Sequence, residues 1–112
     1  MRKYNEDNPM PKEDIRKIND LMRTTMLRSP SRRIVMTQGV LLSPYCEEIV
    51  TAIREMPDNY FDEDNDPHQE HDFGMVEVAG EKWYFKIDYY DESLERFGFH
   101  TFVMTIMNSR EY

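Results

Sequence analysis

The run of residues 82–90 alternates without a break, with Trp83, Phe85, Ile87 and Tyr89 in one register and Tyr84, Lys86, Asp88 and Tyr90 in the other. A period of two is what a strand with one buried face requires, and it excludes an amphipathic helix over the same stretch. The first register is therefore expected to face a core, and the second to line a sheet face that the rest of the chain leaves open. Residues 73–78 read as a partner strand, joined to it through Ala79-Gly80-Glu81, a short glycine-bearing connection of the kind that closes a β-hairpin.

The chain before this hairpin changes period. Residues 1–10 mix charge, Asn and Pro without periodicity and are expected to form a loose arm. Pro11 suits a first helical position, Glu13 and Asp14 complement the helix dipole, and Ile15, Ile18, Met22 and Met26 recur every three to four residues as a buried stripe. Residues 28–33 break that pattern, and residues 34–37 read as a short strand ending near Gly39. Ser43-Pro44 opens a second helix with Glu47 and Glu48 in its first turn, Ile49, Val50, Ile53 and Met56 on its inner face, and Pro57 as its stop. Residues 91–98 form a loop or helical turn, and residues 101–107 a last strand. The order helix, strand, helix, strand, strand, strand predicts an α+β two-layer sandwich, a mostly antiparallel four-stranded sheet with two helices on one face. A chain of 112 residues is the size of one such domain, over 1–112.

Charge narrows the function. The net −8 is uneven, with nine Lys/Arg against five Asp/Glu over residues 1–40, and five against seventeen over residues 41–112. The acidic body repels phosphate backbones, so direct nucleic-acid binding is not expected and a basic protein surface is its natural complement. No apolar run approaches the roughly 20 residues that span a bilayer, and no apolar core follows Met1-Arg2-Lys3, so a cytoplasmic protein without membrane contact is expected. The lone Cys46 rules out an internal disulfide and reads as a partly buried helix residue. With four glycines and no phosphate-cradling loop, dinucleotide fingerprint or nucleophile elbow, the chain calls for no cofactor.

Residues 58–72 carry seven carboxylates, His68 and His71, Pro67, and no Lys or Arg. A loop this long in a small domain points to function. Asp62, Asp64 and Asp66 alternate like the opening of a calcium loop, yet Pro67 stands where that loop needs Gly and Phe73 where it needs Glu. A looser hard-cation site from Asp64, Asp66 and Glu70, or a transition-metal site from His68 and His71 with Asp72 or Asp88, competes with a plainly solvated acidic loop. His71, Asp72 and Asp88 also form a candidate acid/base cluster for a small hydrolase or metal-assisted enzyme, against a structural His71 that fixes the loop on the sheet. The remaining reading is docking. Asp62, Asp64, Asp66, Glu70, Tyr84, Tyr90 and Asp91 would form a partner-binding surface, tyrosine supplying contact area at low entropic cost. Arg28, Arg32 and Arg33 read as a solvated basic stretch or an anion contact.

The words NDPHQEHDFG, KIDYYD, TIM and a closing EY, in that order after IVMTQGVLLSP, resemble a small domain family of unknown function found in alphaproteobacteria and often on plasmids and other mobile elements. The resemblance runs from about Ile15 to Tyr112. The family usually has Gly where Gln69 stands, and a longer acidic segment between the KIDYYD strand and the TIM strand. The resemblance implies a mobile-element context and no particular activity. Together with the charge, it leads to the expectation of a small acidic, non-catalytic binding protein. In its sharpest form this is an anti-CRISPR or anti-restriction inhibitor that covers the basic nucleic-acid-binding surface of a host defence nuclease or effector.

Overall fold

The computed structural model describes residues 10–112, in the order α1 (Lys12–Thr25), β1 (Arg32–Met36), α2 (Gln38–Leu41), α3 (Cys46–Arg54), β2 (Phe73–Val78), β3 (Glu81–Tyr90) and β4 (Thr101–Asn108). Single 3-10 turns occupy Asp58–Tyr60 and Ser109–Glu111. The loose arm expected over residues 1–10 lies outside the described residues except for Met10. No described helix is long and apolar enough to cross a membrane.

The four strands form one open sheet in the order β1-β4-β3-β2. Two of its pairings are antiparallel and one is parallel, β1 lying alongside β4 with Ile34 opposite Met104. The sheet is thus mixed, and mostly antiparallel as the strand pattern suggested. The parallel pair arises because α2, α3 and the β2-β3 hairpin intervene between β1 and β4, room enough for the chain to return in the same direction. The hairpin turn is tighter than expected: Ala79 and Gly80 alone connect β2 and β3, both at positive φ (55° and 77°), as a two-residue primed turn requires.

Trp83, Phe85, Ile87 and Tyr89 are buried, and Tyr84, Lys86, Asp88 and Tyr90 are only partly covered. The helices account for the difference. Ile15 and Met22 of α1 with Ile49 and Ile53 of α3 close one core with Phe85, Ile87, Phe102, Met104 and Ile106 of the sheet. Truncating a buried ring such as Phe85 to Ala would cost about 3–5 kcal/mol. Gly74 sits opposite Phe85, where an added Cβ would come within 2.5 Å of that ring, so close packing demands glycine there.

Ser43 does not cap a helix at residue 44; its Oγ accepts from the Tyr45 amide, and α3 begins at Cys46. The C-terminal turn is fastened by a carboxylate. Glu111 accepts from the Thr37 hydroxyl at 2.6 Å, from the Gly39 amide at 3.0 Å and from the Asn108 amide at 2.8 Å. These bonds, the Thr37 hydroxyl first, hold the Glu111 carboxyl below its ordinary range.

Candidate functional site: the acidic loop and its histidine

The acidic loop is built from its own carboxylates. Asp62 Oδ1 accepts from the amides of Asp64 and Asn65, and Asn65 returns a bond by accepting from the Asp62 amide. Asn65 Nδ2 also donates to the Tyr60 carbonyl at 2.7 Å. Asp66 turns inward, where it is 4 % exposed and accepts from the amides of Glu70 and His71. Burial pushes its carboxyl above the ordinary range, while the His71 amide and ring pull the other way. Gln69 and His71 both take left-handed backbone conformations, φ 57° and 55°, which wind the chain back toward the helices.

His71 is the clasp between this loop and α1. Its Nδ1 lies 2.8 Å from Asp20 Oδ1, its Nε2 lies 3.6 Å from Asp66 Oδ2, and its ring stacks on Phe61 with centroids 4.0 Å apart. Beneath it is a buried polar layer. Asn19 Nδ2 donates to the Glu70 carbonyl at 3.0 Å and to the Tyr89 hydroxyl at 2.8 Å, and that hydroxyl donates to Glu70 Oε1 at 3.2 Å. Arg23 is 1 % exposed; its guanidinium donates to the carbonyls of Ile53 in the last turn of α3 and of Met56 just beyond it, and stands 5.4 Å from the Phe61 ring centre. A buried arginine is tolerated because Nη1 meets carbonyls at a helix C-terminus and Nη2 stands 3.5 Å from the Asp20 carboxylate.

A cleft of about 280 Å³ opens beside His71, lined by Arg16, Phe61, Asp62, Glu63, Asp66, Gln69 and His71. None of these is a Ser, Thr or Cys nucleophile. Among the described residues no three His, Cys, Asp or Glu side chains are grouped to hold a metal ion.

One family covers most of these elements. Residues 36–111 match the family described as Protein of unknown function (DUF3768). The chain belongs to this family. No curated protein and no solved structure matches it. The matched range holds the acidic loop, the hairpin and β4 of the DUF3768 chain. It leaves out α1, whose Asn19, Asp20 and Arg23 complete the layer under the loop.

The sequence-predicted residues divide accordingly. Asp62 and Asp64 are exposed at the rim of the loop, whereas Asp66 and Glu70 are buried, so these two are scaffold and present no charge to a partner. Among the described residues Asp64, Asp66 and Glu70 are not grouped to hold a cation. Of His71, Asp72 and Asp88, His71 pairs with Asp20 on the helix side, the Asp72 carbonyl accepts from the Ile87 amide at 2.8 Å, and Asp88 accepts from Lys86 Nζ at 2.7 Å on the open sheet face. That bond to Asp88 raises the Lys86 ammonium above its ordinary range. His68 is exposed and stands apart from these contacts. Tyr84 and Tyr90 lie half-covered on the open face, Tyr84 packed with Phe73 and Tyr112 at ring separations of 5.3 and 5.6 Å. Asp91 spends its carboxylate on the next turn, accepting from the Ser93 amide and hydroxyl, and the hydroxyl bond chiefly lowers its pKa.

Asn19, Asp20, Arg23 and Phe61 escaped the sequence reading of the site. The signal was present in α1: Asn19 follows Ile15 by four and precedes Met22 by three, which places a polar side chain on the apolar stripe.

Proposed function

We propose that this DUF3768 domain is a small non-catalytic binding protein that docks its acidic loop on a basic surface of another protein. The observation that carries this reading is the division of labour within the loop. Asp66 and Glu70 are buried and fix its shape, leaving Asp62, Glu63 and Asp64 exposed together, and among the described residues none of the three forms an ion pair. A loop ordered before binding presents its charges at low entropic cost. Exposed like charges of this kind steer encounter with a basic patch and suppress other partners.

The sharper reading is that the protein is carried by alphaproteobacterial mobile elements and inhibits a host defence effector, as an anti-CRISPR or anti-restriction protein, by covering its nucleic-acid-binding groove. The excess of carboxylates over residues 41–112, seventeen against five cations, supports it, because such a surface competes with a phosphate backbone for the same arginines and lysines. The test is capture from host lysate at low and high salt, with and without duplex DNA as competitor. The same capture is run with a variant carrying Asp62→Asn, Glu63→Gln and Asp64→Asn. A nucleic-acid-handling protein that is held at low salt, displaced by DNA and lost with the variant is the expected result. Capture indifferent to salt, DNA and the three substitutions would sink the docking reading.

A further inference from the structure

A second surface, away from the acidic loop, has the opposite character. Ile18, Leu21, Met22 and Leu27 line a groove of about 310 Å³ beside α1, together with Arg28 and Arg32. Leu21 is 63 % and Leu27 71 % exposed. No Asp or Glu occurs between Asp20 and Glu47, so the groove and its surroundings are basic in a chain of net charge −8. Arg32 is held in place by donating to the carbonyls of Ser31 and His100 and by lying 4.6 Å over the Phe102 ring.

The complement to this groove is in the same molecule. The turn between β3 and β4 carries Asp91, Glu92 and Glu95 against the single Arg96, and around them it exposes Leu94 (38 %) and Phe97 (42 %). Leu94 holds φ 63°, a conformation that costs a non-glycine residue strain, and yet an apolar side chain is kept there in solvent. The turn and the groove are neighbours: the rings of Phe97, Phe99 and Phe102 follow one another at 5.1 and 6.2 Å, and the series ends on Arg32. A groove that is apolar and arginine-lined fits a projection that is apolar and carboxylate-rimmed.

We infer that the partner for this surface is a second copy of the chain, the turn of residues 91–97 of each seating in the α1 groove of the other. A groove and a projection set side by side on one chain can satisfy each other twice across a two-fold axis, which closes the assembly as a dimer. Leu94 and Phe97 then enter the apolar floor, and Glu92 and Glu95 meet Arg28 and Arg32. The pairing is independent of the acidic loop and leaves it exposed.

The experiment is sedimentation equilibrium of the full chain from micromolar to near-millimolar concentration, with Arg28→Glu, Glu95→Arg and Leu94→Asn, and thermal melting of each as a control for folding. Arg28 and Glu95 are exposed, and Asn tolerates the left-handed conformation of residue 94. A wild-type dimer is expected, weakened about tenfold or more by each substitution and by added salt. An equimolar mixture of the Arg28→Glu and Glu95→Arg chains regains it, since the mixed pair has one native contact and one with both charges exchanged. A wild type that stays monomeric throughout, a dimer that ignores the three substitutions while their melting is unchanged, or a mixture that recovers nothing would each overturn the proposal.

Discussion

Replacing His71 by Asn isolates what the clasp contributes, because Asn also accepts a left-handed backbone while losing both the ring and its reach to Asp20. The Asp20 contact is 2.8 Å long but Asp20 is about a third exposed, so its worth is discounted for solvent screening to about 1 kcal/mol. The stack on Phe61 at 4.0 Å adds about 1 kcal/mol. Unfolding entropy of about 2.1 cal/mol/K per residue gives a 112-residue chain about 0.24 kcal/mol/K, so a loss of about 2 kcal/mol lowers Tm by about 8 °C. Circular dichroism melting of wild type, His71→Asn, Asp20→Ala and the double variant measures it, with a coupling of about 1 kcal/mol expected between the two sites. Hydrogen exchange should quicken at the Glu70 and His71 amides, which Asp66 holds in the closed loop. A His71→Asn melt within about 2 °C of wild type, or no coupling to Asp20, would refute the clasp and return the loop to a solvated lid.

Three further outcomes follow from the same layer. Arg23→Met keeps the buried stem but strips the donors from the Ile53 and Met56 carbonyls; relief of the buried charge offsets part of the loss, leaving about 2–4 kcal/mol of destabilisation by urea titration, and a neutral result would contradict the assignment. Gln69→Gly removes left-handed strain at φ 57° and should raise Tm by a few degrees, about 0.5–1 kcal/mol after the entropy of the unfolded glycine is subtracted, whereas a fall would show that the side chain contributes. Asp66 has a raised folded pKa, so its stabilising contribution is complete below the unfolded value and is lost as pH rises through the folded one. Asp66→Asn should therefore be at least as stable as wild type near pH 7, with the gap closing toward about pH 4; a variant that is less stable near neutrality reverses the sign of the argument.

The sheet was legible because its evidence is local and periodic. The alternation from Trp83 to Tyr89 specifies both the strand and the face it buries, and the apolar spacing of Ile15, Met22, Ile49 and Ile53 specifies which helix sides meet it. The parallel seating of β1 on β4 has no such local signal, since it depends on where a chain returns after the intervening elements, and parallel order leaves no two-residue turn to read. The one-turn helix α2 was missed for a related reason. Its order comes from Glu111, more than seventy positions away, whose carboxylate occupies the Gly39 amide and the Thr37 hydroxyl.

The loop shows how composition misleads where tertiary contacts decide. Seven carboxylates among residues 58–72 read as uniformly solvated, yet Asp66 and Glu70 are as buried as the aliphatic core. A buried carboxylate is tolerable only where donors converge on it, and the donors here are backbone amides within the loop and a tyrosine hydroxyl from β3, neither of which a charge count contains. The consequence reaches the function. Charge at the tip can be altered without touching the fold, while the side chains at the base, whose oxygens hold the Glu70 and His71 amides and the Tyr89 hydroxyl, cannot be truncated without loosening it. A docking experiment that truncated Asp62, Asp64, Asp66 and Glu70 to Ala together would thus confound loss of the partner contact with loss of the loop, and the exposed set Asp62, Glu63 and Asp64 separates the two.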